Sequence, residues 1–380
     1  MIILVLGILL LIYGVIAKKY SVLAGMFFVF LIMGFQEGVP GDYQEYQHLF
    51  EGGGASAGDI TVKEGEFSYI WLTQALSGVV SYHFFVFFTS FLQCLVIGFM
   101  IKSYSNNSYH YFGVLLVYFC FFIMMIQMKA MRQGYAVDTL LLAYWFLGKR
   151  KIVLSIITMI ISYGFHNSII IATPFYVAIL LLILLKGKEK AVETPLNKKN
   201  SNAITMGNMV TASMIAIGIF LFYFIKFYII DSYISPYLES LEFFEYGSYT
   251  KSFDTDNAVS WWILLYHFIV TFTVSLYFLK EKNLLLKCFA FLIIVANFVS
   301  IGLSGFGNLQ RVKMYFVIFI IIVFPNVAAM IQKNYGKFIA VAFIYMNMGF
   351  LMLRSVRAML STDYADGNGF YSYTFSFLNW

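Results

Sequence analysis

The chain has 380 residues and a formal net charge of +6 at pH 7, with 61% hydrophobic and only 12% charged residues. Because soluble domains carry about 25% charged residues, this composition excludes an ordinary soluble protein and predicts an integral membrane protein. The uncharged segments are continuously apolar and do not alternate, which favours an all-α, polytopic fold over the strands of a barrel.

The first apolar segment begins at Ile2, and no basic residue precedes it. Lys18 and Lys19 follow the segment instead. A cleaved signal peptide has its basic region before the apolar part. We therefore expect this segment to remain as a membrane span whose N-terminus lies outside.

About twelve membrane-spanning helices are predicted, and we expect them to form a single transmembrane domain over residues 1–380. Each matches an apolar run that can cross about 30 Å of hydrocarbon, alone or paired with its neighbour across a short polar break. The segment Phe67–Tyr82 mixes aromatic and polar residues and is predicted to be a helix at the membrane interface. In chain order the spans cover residues 2–17, 21–36, 84–101, 109–128, 133–147, 152–165, 168–185, 209–230, 259–279, 284–301, 314–331 and 337–353.

The positions of the lysines predict the orientation. With the N-terminus outside, most Lys and Arg residues fall in inner loops, as the positive-inside rule requires. Residues 186–208 then form a flexible cytoplasmic linker, in which no nucleotide-binding motif occurs. The loop of residues 37–82 with its interfacial helix, the loop 231–258 and the tail 358–380 lie outside, so both termini are predicted to be outside.

Neither the cysteines nor the histidines predict a metal site. Cys94, Cys120 and Cys288 each lie within an apolar run and are interpreted as small core residues without disulfide partners. The remaining candidates show no metal-ligand spacing: His48, His83, His110 and His267. We expect no metal, no cofactor and no nucleic-acid partner.

Arginine is distributed differently from lysine. The chain has five arginines, and the predicted topology places Arg132, Arg311, Arg354 and Arg357 at the outer face, where the orientation rule disfavours them. A guanidinium group makes bidentate contacts with phosphate or carboxylate oxygens. The outer ends of these helices are therefore candidates for binding an anionic ligand.

The outer loops combine acidic and aromatic residues, as in GDYQEYQ of the first loop. Carboxylates accept hydrogen bonds from sugar hydroxyls, and aromatic rings pack on the apolar faces of sugars. Asp42, Tyr43 and Tyr46, with Glu66 at the end of the loop, are the predicted sugar contacts.

Two polar breaks between apolar runs carry the strongest candidates. Arg132, followed by Gln133, lies in QMKAMRQGYA, where an arginine at membrane depth is either functional or extends its side chain to the interface. His166 lies in SYGFHNSII, where its imidazole is either a general base for a sugar hydroxyl or a hydrogen-bonded interfacial residue.

Asp138 lies within a predicted span, and we expect a structural pairing for its carboxylate in preference to a proton pathway.

The other outer arginines have two interpretations. Arg354 and Arg357 are three residues apart, so they share a helix face and either clamp a pyrophosphate or form a basic collar for lipid headgroups. Arg311 follows the turn GLSGFGN, whose glycines match neither a P-loop nor a dinucleotide-binding motif. We expect that turn to bring Arg311 towards the anionic-ligand site.

Several motifs resemble the EpsG family of Wzy-type polysaccharide polymerases. These are GDYQEY, EFSYIWLTQAL, MRQGYAVD, the basic turn GKRK and GFHNSIII, with a weaker similarity in GFGNLQRVKMYF, and the ordered match covers residues 40–175. The sequence departs from the family pattern at two points. A proline expected soon after Glu66 is absent, which affects the interfacial helix, and Asp138 replaces an apolar residue.

The resemblance implies a GT-C-type glycosyltransferase of the bacterial inner membrane with a periplasmic active site. It implies transfer of a growing glycan from undecaprenyl pyrophosphate to a lipid-linked repeat unit, with a chain-length regulator and a flippase as partners. Arg132, with Gln133, would bind the donor pyrophosphate, and His166 would deprotonate the acceptor hydroxyl. Arg311, Arg354 and Arg357 would neutralise the leaving group.

Two other functions use the same lipid carrier. A flippase for lipid-linked saccharides would also need arginines, but it is expected to show two similar halves and charges along a cavity; the sequence shows neither. An O-antigen ligase would differ only in its acceptor, which the sequence does not reveal.

Overall fold

The computed structural model describes residues 21–37, 43–52, 56–57, 60–61, 65–120, 128, 130–185, 204–226, 261–302, 312–360 and 374–375. Asp42, Arg311, the first predicted span, the loop 231–258 and most of the predicted linker and tail lie outside these residues. For Arg354 and Arg357 the helical backbone is described but the side chains are not.

Fourteen α-helices occur in the described part of the chain. Two 3₁₀ helices, Asn107–Tyr109 and Asn167–Ile171, precede α5 and α8. The α-helices are α1 (Ser21–Gly34), α2 (Tyr43–Gly52), α3 (Phe67–Leu76), α4 (Tyr82–Tyr104), α5 (His110–Phe119), α6 (Met131–Gly148), α7 (Ile152–Phe165), α8 (Thr173–Leu185), α9 (Met206–Ile225), α10 (Trp261–Lys280), α11 (Leu284–Gly302), α12 (Met314–Val317), α13 (Ile320–Tyr335) and α14 (Lys337–Leu360).

Extended structure is confined, within the described residues, to four two-residue strands. β1 (Gln36–Glu37) pairs antiparallel with β4 (Thr374–Phe375), with Gln36 opposite Phe375. β2 (Ser56–Ala57) pairs antiparallel with β3 (Ile60–Thr61). The all-α prediction is confirmed.

Four of the described helices are long and apolar enough to cross a membrane: α4, α9, α10 and α11. Helices α7 and α8, and the apolar parts of α1 and α14, are shorter but also strongly apolar. The chain is therefore a membrane-embedded protein with many apolar helices, and the number twelve stays a prediction.

The chain divides into two compact units, Met1–Leu180 with Phe324–Trp380 and Leu181–Val323. In the second unit, α9, α10 and α11 share a buried apolar cluster. A buried polar group lies between α10 and α11, where Nδ1 of His267 is 2.8 Å from Oδ1 of Asn297, whose amide donates to Thr271. These hydrogen bonds pair polar groups that would be expensive to leave unpaired within a membrane.

Short polar residues mark several helix ends. The Ser81 hydroxyl accepts from the Phe84 N–H at the start of α4, and the Thr205 hydroxyl accepts from Asn208 at the start of α9. Both are N-cap interactions that satisfy otherwise unpaired backbone donors.

Gly336 separates α13 from α14 with a φ of 95°, a conformation that glycine adopts without steric cost.

Part of the segment predicted as the first outer loop forms a helix. Its residues 43–52 form α2, in which Tyr43, Tyr46, Leu49 and Phe50 are buried. Their three- and four-residue spacing places them on one helix face. Within the segment predicted as an interfacial helix, 67–82, the structure has the shorter helix α3, and its place at a membrane interface stays a prediction. The Ser77 hydroxyl at the end of α3 donates to the Phe50 carbonyl at 2.6 Å.

Candidate functional site

The hairpin of α6 and α7 brings Arg132 and His166 to the same end of two neighbouring helices. Arg132 is the second residue of α6, and His166 directly follows α7. Only residues 149–151 connect the two helices, so the start of α6 and the end of α7 must lie together. Polar contacts fix the pairing, because the Ser162 hydroxyl donates to the Ala136 carbonyl at 2.6 Å.

Helix α3 packs closely on the end of α7, and this contact positions Glu66. A Cβ added to Gly164 would lie 2.7 Å from the Phe67 ring and still closer to the Ser68 hydroxyl. A Cβ on Gly65 would lie 3.0 Å from the side chain of Asn167. The two glycines thus allow the residue at the start of α3 to reach the end of the α6–α7 hairpin.

Glu66 is the bridge between the two cationic candidates. Its Oε1 lies 2.6 Å from Nδ1 of His166, and its Oε2 accepts a hydrogen bond from Nη1 of Arg132 in an ion pair. The backbone N–H of Asn167 also donates to this carboxylate. Glu66 itself is only 1% exposed, so its carboxylate is buried and both of its oxygens are engaged in these contacts.

The Glu66 carboxyl has a lowered pKa. Burial alone would raise the pKa, but the hydrogen bond from His166 and the positive charge of Arg132 more than offset burial. The carboxyl is therefore ionised at neutral pH. Since an ionised carboxylate only accepts hydrogen bonds, Nδ1 of His166 carries the proton, and Nε2 is an acceptor whenever the ring is neutral.

Two tyrosines surround the guanidinium of Arg132. Its Nε donates to the Tyr46 hydroxyl at 3.3 Å, and its Cζ lies 5.7 Å from the Tyr46 ring centroid and 5.9 Å from that of Tyr69. These are distances at which cation–π attraction operates. The Arg132 side chain is 12% exposed and the His166 side chain is 30% exposed, so both reach the surface of the cluster while Glu66 does not.

The two tyrosines of α2 that lie at the site, Tyr43 and Tyr46, belong to a larger aromatic cluster. Tyr43 packs edge-on against Tyr82 with ring centroids 5.1 Å apart, and the Tyr82 hydroxyl donates to the sulfur of Met131 at 3.4 Å. Tyr135 of α6 donates to the Thr89 hydroxyl at 3.0 Å. Aromatic packing therefore supports Arg132 from α2, α3 and α4.

The structure brings together four of the residues that the sequence analysis selected: Arg132, His166, Glu66 and Tyr46. Tyr43 lies beside them in the aromatic cluster, and Gln133 is buried at the start of α6. Asp42 and Arg311 lie outside the described residues, as do the side chains of Arg354 and Arg357. Their predicted roles stay predictions.

Sequence reasoning missed Tyr69. It belongs to EFSYIWLTQAL, a string assigned as a whole to an interfacial helix. Its position three residues after Glu66 places the two one helical turn apart. That spacing was the available signal, because a polar residue one turn from a buried carboxylate shares its surroundings.

The cluster combines an imidazole oriented by a carboxylate with a guanidinium held by the same carboxylate. The first arrangement can accept a proton from a hydroxyl group, and the second can stabilise negative charge on phosphate oxygens. No group of three or more His, Cys, Asp or Glu side chains suited to a metal ion occurs in the described residues. The expectation of metal-independent chemistry stays a prediction.

Apolar helices of membrane-spanning length and a buried Arg–Glu–His cluster define a membrane-embedded protein with a polar site at the end of a helical hairpin. The family model described as the EpsG family matches residues 19–375. The chain belongs to the EpsG family, which indicates a polysaccharide polymerase-like membrane protein. No curated protein and no solved structure matches the chain.

Proposed function

We propose that this protein is a polysaccharide polymerase that transfers a growing glycan from undecaprenyl pyrophosphate to the sugar of a lipid-linked repeat unit. We place the reaction at the outer, periplasmic face of a bacterial inner membrane, on a GT-C-type fold. One observation carries the proposal: the buried carboxylate of Glu66 accepts hydrogen bonds from both Arg132 and His166. Glycosyl transfer from a pyrophosphate uses a base to deprotonate the acceptor hydroxyl and a nearby cation to stabilise the leaving pyrophosphate.

His166 acts as the general base in this proposal. Glu66 accepts from its Nδ1, which orients the ring and leaves Nε2 to receive the proton of the acceptor hydroxyl. The acceptor oxygen then bonds to the anomeric carbon of the donor, and the bond from that carbon to the pyrophosphate oxygen breaks. The electron pair leaves with the lipid pyrophosphate.

Arg132 stabilises that leaving group. Negative charge grows on the pyrophosphate as the glycosidic bond breaks, and a guanidinium fixed beforehand stabilises it without reorganisation. Tyr46, Tyr69 and Glu66 fix the group here. Gln133, Arg311, Arg354 and Arg357 stay proposed contributors to pyrophosphate binding.

The geometry leads us to revise the role of Glu66. The sequence analysis assigned it to sugar contact, but both carboxylate oxygens are engaged by Arg132 and His166 and the residue is buried. We assign it the orientation of these two side chains instead. Tyr46 likewise positions Arg132, while the sugar contacts of Asp42 and Tyr43 stay proposals.

A complementation experiment tests the function. A strain that lacks this protein is supplied with wild type, Arg132→Ala or His166→Ala, and its surface polysaccharide is separated by size. We expect the wild type to restore a ladder of chain lengths and both variants to leave a single-repeat band. Arg150→Ala and His48→Ala, at exposed residues of the same types, are the matched controls and are expected to restore the ladder.

Two other outcomes would contradict the proposal. Loss of every surface repeat, with normal levels of the variant in the membrane, would point to a flippase. Full-length chains from both Arg132→Ala and His166→Ala would remove these residues from the reaction.

A further inference from the structure

The hydroxyl of Tyr69 is buried beside the site, and no described residue is its hydrogen-bond partner. Tyr69 is 2% exposed, and its hydroxyl contacts no donor or acceptor among the described residues. Buried polar groups are nearly always paired, and an unpaired one indicates a missing ligand or water. The phenol is fixed in place by its ring contacts with Tyr46, at 6.0 Å between centroids, and with Arg132.

Three other phenols of the cluster have hydroxyl hydrogen bonds within the protein. The Tyr46 hydroxyl accepts from Arg132, the Tyr82 hydroxyl donates to Met131, and the Tyr135 hydroxyl donates to Thr89. Burial raises the pKa of Tyr69 well above its ordinary value, so the phenol keeps its proton and can donate. An unused donor therefore lies next to the proposed pyrophosphate-binding guanidinium.

A second unused polar atom belongs to the residue whose backbone N–H donates to Glu66. Oδ1 of Asn167 is buried and also has no partner among the described residues. The same residue adjoins His166, its backbone N–H donates to Glu66, and its side chain packs against Gly65. An amide oxygen only accepts hydrogen bonds, so this atom requires a donor from the ligand.

The two atoms together specify the ligand chemistry. Phosphate oxygens at neutral pH accept hydrogen bonds and could pair with Tyr69, but they could not pair with Oδ1 of Asn167. Sugar hydroxyls both donate and accept, so they satisfy both atoms. We propose that Tyr69 and Asn167 bind hydroxyl groups of the repeat-unit sugar at the Glu66–His166 pair and are specificity-determining residues. This inference rests on the proposed function for the identity of the sugar.

Binding measurements with the full chain in lipid nanodiscs test the assignment. The probes are the repeat-unit oligosaccharide, released by mild acid from the lipid-linked precursor of the producing strain, and inorganic pyrophosphate. We expect Tyr69→Phe to weaken oligosaccharide binding about tenfold, as loss of one hydrogen bond does, and to leave pyrophosphate binding unchanged. Asn167→Leu is expected to act in the same way, whereas Arg132→Lys weakens pyrophosphate binding.

Tyr135→Phe is the matched control, because it removes a phenolic hydroxyl that is already paired with Thr89. We expect it to lower the melting temperature and to leave both affinities unchanged. Tyr69→Phe without ligand is expected to keep or raise the melting temperature, because it removes an unpaired buried hydroxyl. This contrast separates a ligand-binding hydroxyl from a structural one.

Three results would overturn the assignment. Weaker pyrophosphate binding with unchanged oligosaccharide binding in Tyr69→Phe would make the ligand group a phosphate. Unchanged binding of both probes would mean that the hydroxyl serves an ordered water only. A lower melting temperature for Tyr69→Phe would give it a structural partner. Because binding is measured without turnover, these results are independent of whether His166→Ala abolishes polymerisation.

Discussion

Glu66 holds the side chains of both Arg132 and His166. A carboxylate that is 1% exposed is stable as an anion only when cations and hydrogen-bond donors compensate its desolvation. Arg132, His166 and the backbone of Asn167 supply that compensation. The carboxylate also fixes the guanidinium and the imidazole in one orientation before any substrate binds. Such preorganised groups can stabilise the charge of a transition state without reorganising.

The lowered pKa of Glu66 predicts how stability depends on pH. The folded-state pKa lies below the unfolded value of about 4.3, so the stabilisation is fully present above that pH and is lost as the pH falls through the folded-state pKa. We expect Glu66→Gln to unfold more easily than wild type by about 1.5 to 3 kcal/mol at neutral pH. This difference should shrink below about pH 4.

Unfolding of both proteins in detergent, followed by tryptophan fluorescence from pH 3 to 8, measures this effect. Glu51→Gln is the matched control, because Glu51 is an exposed carboxylate on α2 that accepts a hydrogen bond from Gln47 one turn away. It is expected to remain within about 0.5 kcal/mol of wild type at neutral pH. A difference between wild type and Glu66→Gln that does not change with pH would contradict the account.

At the scale of elements, the site depends on how closely α3 approaches α7. Gly164 lies where the Phe67 ring and the Ser68 hydroxyl leave no space for a methyl group. Gly164→Ala should therefore displace α3 and separate Glu66 from His166, although alanine favours the helix by about 1 kcal/mol over glycine. We expect reduced polymer length and a lower melting temperature.

Gly349→Ala is the matched control for this prediction. Gly349 also lies within a helix, α14, but a Cβ there would contact nothing within 4 Å. We expect it to keep full activity and to gain slightly in stability. Equal effects of the two substitutions on activity would show that close packing of α3 on α7 is not required.

The sequence predicted the helices more successfully than the contacts between them. Bounds such as 152–165 for α7 and 284–301 for α11 agree with the structure within one residue, because apolar runs end at polar or charged residues. Helix α2 was predicted as a loop, because its overall composition is polar and charged. Composition alone therefore does not show that Tyr43 and Tyr46 are buried. The apolar stripe of α2 is visible only in the spacing of its residues.

The composition of the site was harder to predict than its location. Arg132 and His166 are conspicuous because polar residues interrupt apolar runs at both positions. Glu66 is 66 residues from Arg132 and 100 from His166, and no local pattern encodes a pairing over such distances. The one-turn spacing from Glu66 could have placed Tyr69 near the site, but the sequence does not show that its hydroxyl has no partner among the described residues.

At the scale of the whole molecule, the orientation in the membrane is a prediction that labelling can test. The native cysteines Cys94, Cys120 and Cys288 are buried and can be replaced to give a cysteine-free protein. Glu51→Cys lies on α2, the helix that also carries Tyr46, and Lys151→Cys lies in the turn at the opposite end of the α6–α7 hairpin. Both positions are exposed.

We expect a membrane-impermeant thiol reagent applied to intact spheroplasts to label Glu51→Cys and not Lys151→Cys. Permeabilisation should then expose Lys151→Cys to the reagent, which controls for its reactivity. The reverse pattern would place the site at the cytoplasmic face, where the translocated lipid-linked repeat is absent, and would exclude polymerisation on the outer side.

The most direct test of the central claim is a double-mutant cycle on the rate of glycan transfer, measured with purified protein in nanodiscs and lipid-linked repeat units. If Glu66 acts by orienting His166, then Glu66→Gln lowers the rate by about 10²-fold and His166→Ala by about 10²- to 10⁴-fold. Adding Glu66→Gln to His166→Ala should lower the rate much less than Glu66→Gln does alone. If Glu66→Gln reduces transfer by the same factor in both backgrounds, the two residues act independently, and the bridged site is not the catalytic unit.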